Sequence, residues 1–250
     1  MDQINNILAS FNQQDKLNPK VWTKPEEPKE SKMNPKVKNA LLKIADKFSE
    51  NLSDDLKVED IILTGSLANY NWSNYSDFDL HLVIDFKQFG KQAELYKELF
   101  SLKKQLFNQN HDIKIFGYEV ELYAQDSDES HFSTGVYSVK NDEWITAPSK
   151  EKSQIDKEVF KTKINSWKEK IENLIKNIKK DGIKSSEKQI DSLKEKLKDY
   201  RKSGLEKEGE YSYENLVFKY LRRSKLIEKL YNTIVKQTDK ELSVETRKIE

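Results

Sequence analysis

The side chains able to do chemistry are concentrated in one stretch, Leu63-Thr-Gly-Ser-Leu-Ala-Asn-Tyr-Asn-Trp-Ser-Asn-Tyr-Ser-Asp-Phe-Asp-Leu-His81. An apolar run ends there in Gly65-Ser66, and a short helical turn is expected to start at that point. Backbone N–H groups at such a start point toward an anion, and a glycine lets a phosphate approach the chain closely. Asp77 lies twelve residues beyond Gly65, with Asp79 two further on. On a strand, alternate residues share a face, so the two carboxylates project together. Adjacent carboxylates repel unless a cation lies between them. Mg²⁺ is the hard, oxygen-seeking ion that fits, with Mn²⁺ able to substitute. A third carboxylate usually completes such a centre, and Gly117-Tyr-Glu-Val-Glu-Leu-Tyr123 offers Glu119 and Glu121, again two apart. Glu121, flanked by Val120 and Leu122, is the favoured ligand and Glu119 a salt-bridge partner; the reverse assignment stays open. A phosphate cradle facing paired carboxylates suits phosphoryl or nucleotidyl transfer assisted by two metal ions roughly 3.5–4 Å apart.

These residues need strands to aim them. Asp60 to Thr64 reads as a buried strand and Phe78 to Phe86 as a second, while 112–125 and 134–146 are two further strand segments. Val37, Leu41, Ile44, Phe48 and Leu52 recur at helical spacing, as do Phe89, Leu95, Leu99, Leu102 and Leu106 within 88–109. Residues 1–35 carry Pro19, Pro25, Pro28 and Pro35 and read as an extended arm, anchored by Val21 and Trp22. The character changes near 148–155. Ile164, Trp167, Ile171, Leu174, Ile175 and Ile178 form one amphipathic helix ending near Asp181-Gly182. Ile190, Leu193, Leu197 and Tyr200 mark a second helix, and Leu216, Tyr220, Ile227, Leu230 and Ile234 a third. The expected architecture is α/β (α+β): a small mixed-sheet domain over 36–150, then an all-α region over 151–250. The nucleotide is expected in a cleft between the two.

Composition narrows the field. The 250 residues carry 44 basic and 43 acidic side chains, a net charge of +1, so no global field draws the protein to nucleic acid or an anionic membrane. With no cysteine there is no disulfide scaffold, thiolate metal site or cysteine nucleophile. No apolar run approaches the roughly 18–20 residues that span a bilayer, and Asp2 with the polar run after it does not read as a signal peptide. A cytosolic protein is expected. Only four residues are Arg (Arg201, Arg222, Arg223 and Arg247), so any forked grip on a phosphate comes from the last fifty.

Gly-Ser, a ten-residue gap from Leu67 to Ser76, then Asp-x-Asp and an apolar residue resembles the signature of the DNA polymerase beta-type nucleotidyltransferase superfamily. That superfamily includes CCA-adding enzymes, aminoglycoside nucleotidyltransferases and small antitoxin-type AMP-transferases. More closely, residues 17–19, 60–81, 111–126, 133–138, 209–216 and 218–223 resemble nucleotidyltransferases predicted in tailed bacteriophages, and those blocks are spread from residue 17 to residue 223. The resemblance implies that Gly65 and Ser66 hold a nucleoside triphosphate and that Asp77, Asp79 and Glu121 hold Mg²⁺. In one respect the chain departs: many minimal members carry Arg in the loop after Gly-Ser, where this chain has Leu67-Ala-Asn69. In many members a helical domain closes on the sheet and supplies basic residues. Lys219, Arg222, Arg223 and Arg201 are the candidates here, and at helical spacing Lys219 shares a face with Arg222 or Arg223.

The implied reaction is transfer of a nucleoside monophosphate to a hydroxyl with release of pyrophosphate. An RNA or tRNA 3′ end is slightly favoured as acceptor over a protein hydroxyl, with a small molecule third and no membrane partner. The alternative is a non-catalytic nucleotide-sensing or partner-binding protein on the same fold. His81 reads as a hydrogen-bonded structural histidine or a support for the carboxylates, and His111 and His131 as surface or loop residues. Tyr70 and Trp72 read as loop anchors, with stacking on a base as the sharper alternative, and Tyr137 and Trp144 as hairpin packing.

Overall fold

The structure is a computed structural model that describes residues 6–7, 9–52, 56–129, 133–150 and 156–243. The chain divides into two compact units, one spanning Ala9–Glu151 and the other Lys152–Glu250 together with Met1–Leu8. The first is built on a six-stranded mixed sheet, β1 (Val58–Thr64), β2 (Asp77–Ile84), β3 (Lys114–Ile115), β4 (Tyr118–Asp126), β5 (Val136–Ser138) and β6 (Glu143–Thr146), in the order β3-β4-β2-β1-β5-β6. β2 and β4 pair in parallel and the other neighbours are antiparallel. The segments 112–125 and 134–146 are therefore two hairpins rather than two strands. Phe116 and Gly117, both at positive φ (52° and 90°), turn the first, as a tight hairpin between right-twisted strands requires.

Along β2 half-buried and buried residues alternate strictly. Phe78, Leu80, Leu82 and Ile84 join Ile61, Leu63, Leu122 and Tyr137 in the core, while Asp77, Asp79 and His81 point the other way. Helix α1 (Pro35–Leu52) buries Val37, Leu41, Ala45, Phe48 and Leu52 in that core. Asn34 starts α1: its side-chain oxygen accepts from Lys36 N–H (3.0 Å), and Pro35 occupies the first helical position, where its missing N–H costs nothing. Residues of the 1–35 segment are part of the same core, with Leu17, Val21, Trp22 and Met33 all buried. The Trp22 ring stacks on Trp144 (centroids 4.4 Å) and meets Tyr137 edge-on (4.9 Å).

Strand β2 stops at Ile84. Asp85 then caps a 3-10 segment by accepting from Lys87 N–H (2.8 Å), and Gly90, at φ 54° and ψ −125°, delays helix α2 (Ala93–Asn110) past the expected start at 88. The leucines that mark the period of α2 do not face the sheet. Leu95, Leu99, Leu102 and Leu106 are 61%, 38%, 52% and 58% exposed, whereas Phe100 and Phe107 are buried. Neighbouring helix positions differ by about 100°, so a row one residue out of phase with the aromatics looks to solvent.

The second unit is all helical: α3 (Lys157–Glu208), α4 (Tyr213–Arg223) and α5 (Leu226–Leu242). The backbone of α3 breaks at Gly182 (φ 82°, ψ 174°), where the expected first helix ends, and Glu241 accepts from Ile183 N–H (2.8 Å) to start the second arm. The expected third helix is two, because Lys225 adopts the left-handed conformation (φ 61°, ψ 16°) and separates α4 from α5. Neither glycine nor proline marks that break in the sequence. Among the described residues no helix is long and apolar enough to cross a membrane.

Candidate functional site

The parallel pairing of β2 with β4 sets Asp79 beside Glu121 and Asp77 beside Glu119, all on the face away from the core. Asp77, Asp79 and Glu121 are half-buried, and each offers a carboxylate oxygen such that the three lie within 4.8 Å of one another. Glu119 stands outside this cluster, exposed, with its carboxylate 3.8 Å from Lys114 Nζ. At an effective dielectric of about 20, ionised carboxylates this close repel by roughly 3 kcal/mol per pair, less where water screens them. An all-oxygen set of three carboxylates is the donor chemistry of Mg²⁺ or Mn²⁺, so the residues present fit such an ion.

Gly65 ends β1 at φ 73° and ψ −161°, a region open essentially to glycine alone. A Cβ there would lie 1.8 Å from Asp79 Oδ2, so the turn backbone passes directly against the carboxylate. Ser66–Ala68 follow as a 3-10 turn. That turn is held from several sides. Trp22 Nε1–H donates to Leu67 O (2.8 Å), and the Asn69 amide donates to Gly65 O (2.9 Å) and Ser133 Oγ (2.8 Å). Thr134 Oγ1–H donates to Asn69 Oδ1 (2.7 Å), and a Cβ on Gly135 would fall 2.1 Å from Ala68 O. Ser66 Oγ–H donates to Ser76 Oγ (2.7 Å), joining the turn to the residue before Asp77. The 133–135 stretch thus acts as a clamp on the turn, a role its composition alone did not disclose.

A second layer of side chains lies beside the carboxylates. The phenol of Tyr123 donates to Glu121 Oε2 (2.6 Å), and burial, reinforced by the Asp79 and Glu121 carboxylates, pushes that phenol far above the ordinary tyrosine range. His81 pairs through Nδ1 with Gln125 Oε1 (2.7 Å) and through Nε2 with Thr64 Oγ1 (3.2 Å), while its ring stacks on Tyr123 (centroids 4.6 Å). Because Oε1 only accepts, Nδ1 carries a proton, while Nε2 and the threonine hydroxyl share the second hydrogen bond. Tyr123 and Gln125 share the face of Glu121 by strand alternation, the one signal in the sequence that could have found them.

Lys219, Arg222 and Arg223 stand on α4 in the helical unit, where Lys219 Nζ lies 3.7 Å from the Glu210 carboxylate. Arg201 is built into that unit, its Nε–H donating to Asn215 Oδ1 (3.3 Å) and its guanidinium 4.6 Å from the Phe218 ring centroid. A cavity of about 410 Å³ in the same unit, lined by Trp167, Asn173, Asn177 and Gln189 among others, contains no acidic side chain. Tyr70 is buried and Trp72 Nε1–H donates to Lys16 O (2.9 Å), so both anchor the loop. Tyr137 and Trp144 pack edge-to-face (4.9 Å) on the β5–β6 hairpin. His111 ends α2 with its ring 4.4 Å from Phe107, and His131 lies outside the described residues. Comparison of the chain with protein-family models, curated proteins and solved structures finds no match in any of the three.

Proposed function

We propose that this protein is a Mg²⁺-dependent nucleotidyltransferase of the DNA polymerase beta type, moving a nucleoside monophosphate from a triphosphate to a hydroxyl acceptor. The observation that carries the reading is the meeting of Asp77, Asp79 and Glu121 within 4.8 Å, beside a Gly65–Ser66 turn pressed against Asp79. Bound Mg²⁺ would supply charge neutralisation on the phosphates and acidify the attacking hydroxyl. Asp77, Asp79 and Glu121 would hold it, and one of these carboxylates takes the acceptor's proton. The acceptor oxygen bonds to the α-phosphorus, the bond from that phosphorus to the bridging oxygen of the β-phosphate breaks, and pyrophosphate leaves. The Gly65–Ser66 turn holds the departing phosphates. Catalysis of this kind is mostly positioning and electrostatic stabilisation. An RNA 3′ end is the favoured acceptor and a protein hydroxyl the next.

The test is a label-transfer assay in which purified protein, Mg²⁺ and each α-labelled nucleoside triphosphate meet total RNA or total protein. The control is the double variant Asp77→Asn, Asp79→Asn. Label entering one fraction, and at least about a thousandfold less with the control, is the expected outcome. Triphosphate binding without transfer to either fraction would shift the acceptor to a small molecule or the function to nucleotide sensing. Absence of both binding and transfer would remove the catalytic reading.

A further inference from the structure

Glu121 has a dedicated support. One of its carboxylate oxygens, Oε2, accepts the Tyr123 hydroxyl at 2.6 Å, which restricts rotation of the group. The Tyr123 ring is itself held. His81 stacks on it at 4.6 Å with an interplanar angle of 20°, and Lys104 Nζ of α2 sits 4.2 Å from the ring centroid. His81 is fixed in turn by Gln125 and Thr64. Next to Glu121, the Asn108 side chain of α2 both donates to Leu122 O (3.1 Å) and accepts from Leu122 N–H (3.2 Å), pinning β4. A freely rotating glutamate has three side-chain torsions to lose on binding a cation; this one has lost much of that freedom beforehand.

We propose that Tyr123 is a positioning residue for the carboxylate centre, orienting Glu121 toward a divalent cation from a clamp formed by His81 and Lys104. The proposal rests on the metal-binding reading of the site given above. Partners that orient a ligand without touching the metal typically change affinity by about 10- to 100-fold when removed. The phenol acts as a donor to the carboxylate, and the ring supplies the surface on which His81 and Lys104 rest. Removing the hydroxyl alone therefore separates the two contributions.

The experiment is titration of Mn²⁺ into the full chain, followed by calorimetry and by the electron paramagnetic resonance signal of free Mn²⁺. Wild type, Tyr123→Phe and the double variant Asp77→Asn, Asp79→Asn are compared, each with its melting temperature. Tyr123→Phe keeps the ring, its stacking and its volume. The expected result is Mn²⁺ affinity about tenfold weaker in Tyr123→Phe with the melting temperature within a few degrees of wild type. A second variant, Lys104→Met, is expected to weaken binding by about two- to threefold, as loss of one contact to the ring would. Mn²⁺ affinity of Tyr123→Phe within twofold of wild type, while the double variant loses binding, overturns the positioning role and leaves the metal centre standing. Equal and weak Mn²⁺ binding by all three proteins overturns both.

Discussion

Gly65 is the residue on which the geometry of the centre depends most directly. Its backbone conformation disfavours any side chain, and a Cβ there would come within 1.8 Å of Asp79 Oδ2, so the carboxylate must move to admit one. Gly65→Ala is expected to cost about 1–3 kcal/mol from the backbone alone, and the added methyl pushes the Asp79 carboxylate aside. The measurable outcome is a melting temperature several degrees lower together with weakened Mn²⁺ binding. Unchanged values of both would contradict the close packing of turn and carboxylate. The pairing of glycine with an acidic residue was legible from the spacing of Gly65, Asp77 and Asp79. That the glycine touches the second aspartate was not, because contact depends on the antiparallel register that sets Thr64 opposite Asp79.

Helix α2 separates periodicity from burial. Its leucine row has the regular spacing from which a buried face is ordinarily inferred, yet the sheet receives the aromatic row instead. Phe100 meets Phe86 (5.7 Å), Phe89 (5.7 Å) and Tyr96 (5.8 Å). Phe100→Ala is accordingly expected to destabilise the fold by about 3–5 kcal/mol. Leu99→Ser and Leu102→Ser, on the exposed row, should each stay within about 1 kcal/mol of wild type. Urea unfolding monitored by far-ultraviolet circular dichroism distinguishes the two classes, and a large loss at Leu102 would show that the row is covered. Turn chemistry was similarly mixed. Gly182 announced its break, whereas Gly117 lay inside a segment that reads as one strand, and Lys225 left no local signal, since lysine enters the left-handed region only where tertiary packing imposes it.

Across the whole sheet unit, residues 9–35 and the last hairpin lock together through Tyr137. This fully buried tyrosine accepts from Met33 N–H (3.2 Å) and donates to Asp142 Oδ1 (2.6 Å). Burial, and then the hydrogen bond to Asp142, hold its phenol well above the ordinary value of 10.0. The folded state keeps this proton to higher pH than the unfolded chain does. Above pH 10 the unfolded state therefore binds fewer protons and stability falls as pH rises, by up to about 1.4 kcal/mol per pH unit for this group. Tyr137→Phe should be less stable than wild type at pH 7 by about 1 kcal/mol, the value of a lost hydrogen bond. Between pH 10 and 11.5 wild type should lose this advantage and then fall below Tyr137→Phe, and an advantage of wild type that holds or grows over that range would contradict the assigned burial. Within 9–35, Leu17, Val21, Trp22 and Met33 pack in the core, and Trp22 holds both the hairpin and the Gly65 turn.

The sequence by itself determined which residues share a strand face and where acidic, apolar and turn-forming positions fall. Alternation along 77–84 and 118–126 places Asp77, Asp79, Glu121 and Tyr123 on polar faces whatever their neighbours are, because strand pleating is local. Only the tertiary structure decided that β2 runs parallel to β4. That pairing chooses Glu121 over Glu119 as the third carboxylate, brings His81 onto Tyr123, and lets 133–135 clamp the turn. Periodicity specifies a face but carries no information about which distant segment meets it. That choice is made by burying the apolar faces of β1, β2 and β4 together beneath α1, α2 and Trp22, and the opposite face of the sheet inherits its arrangement.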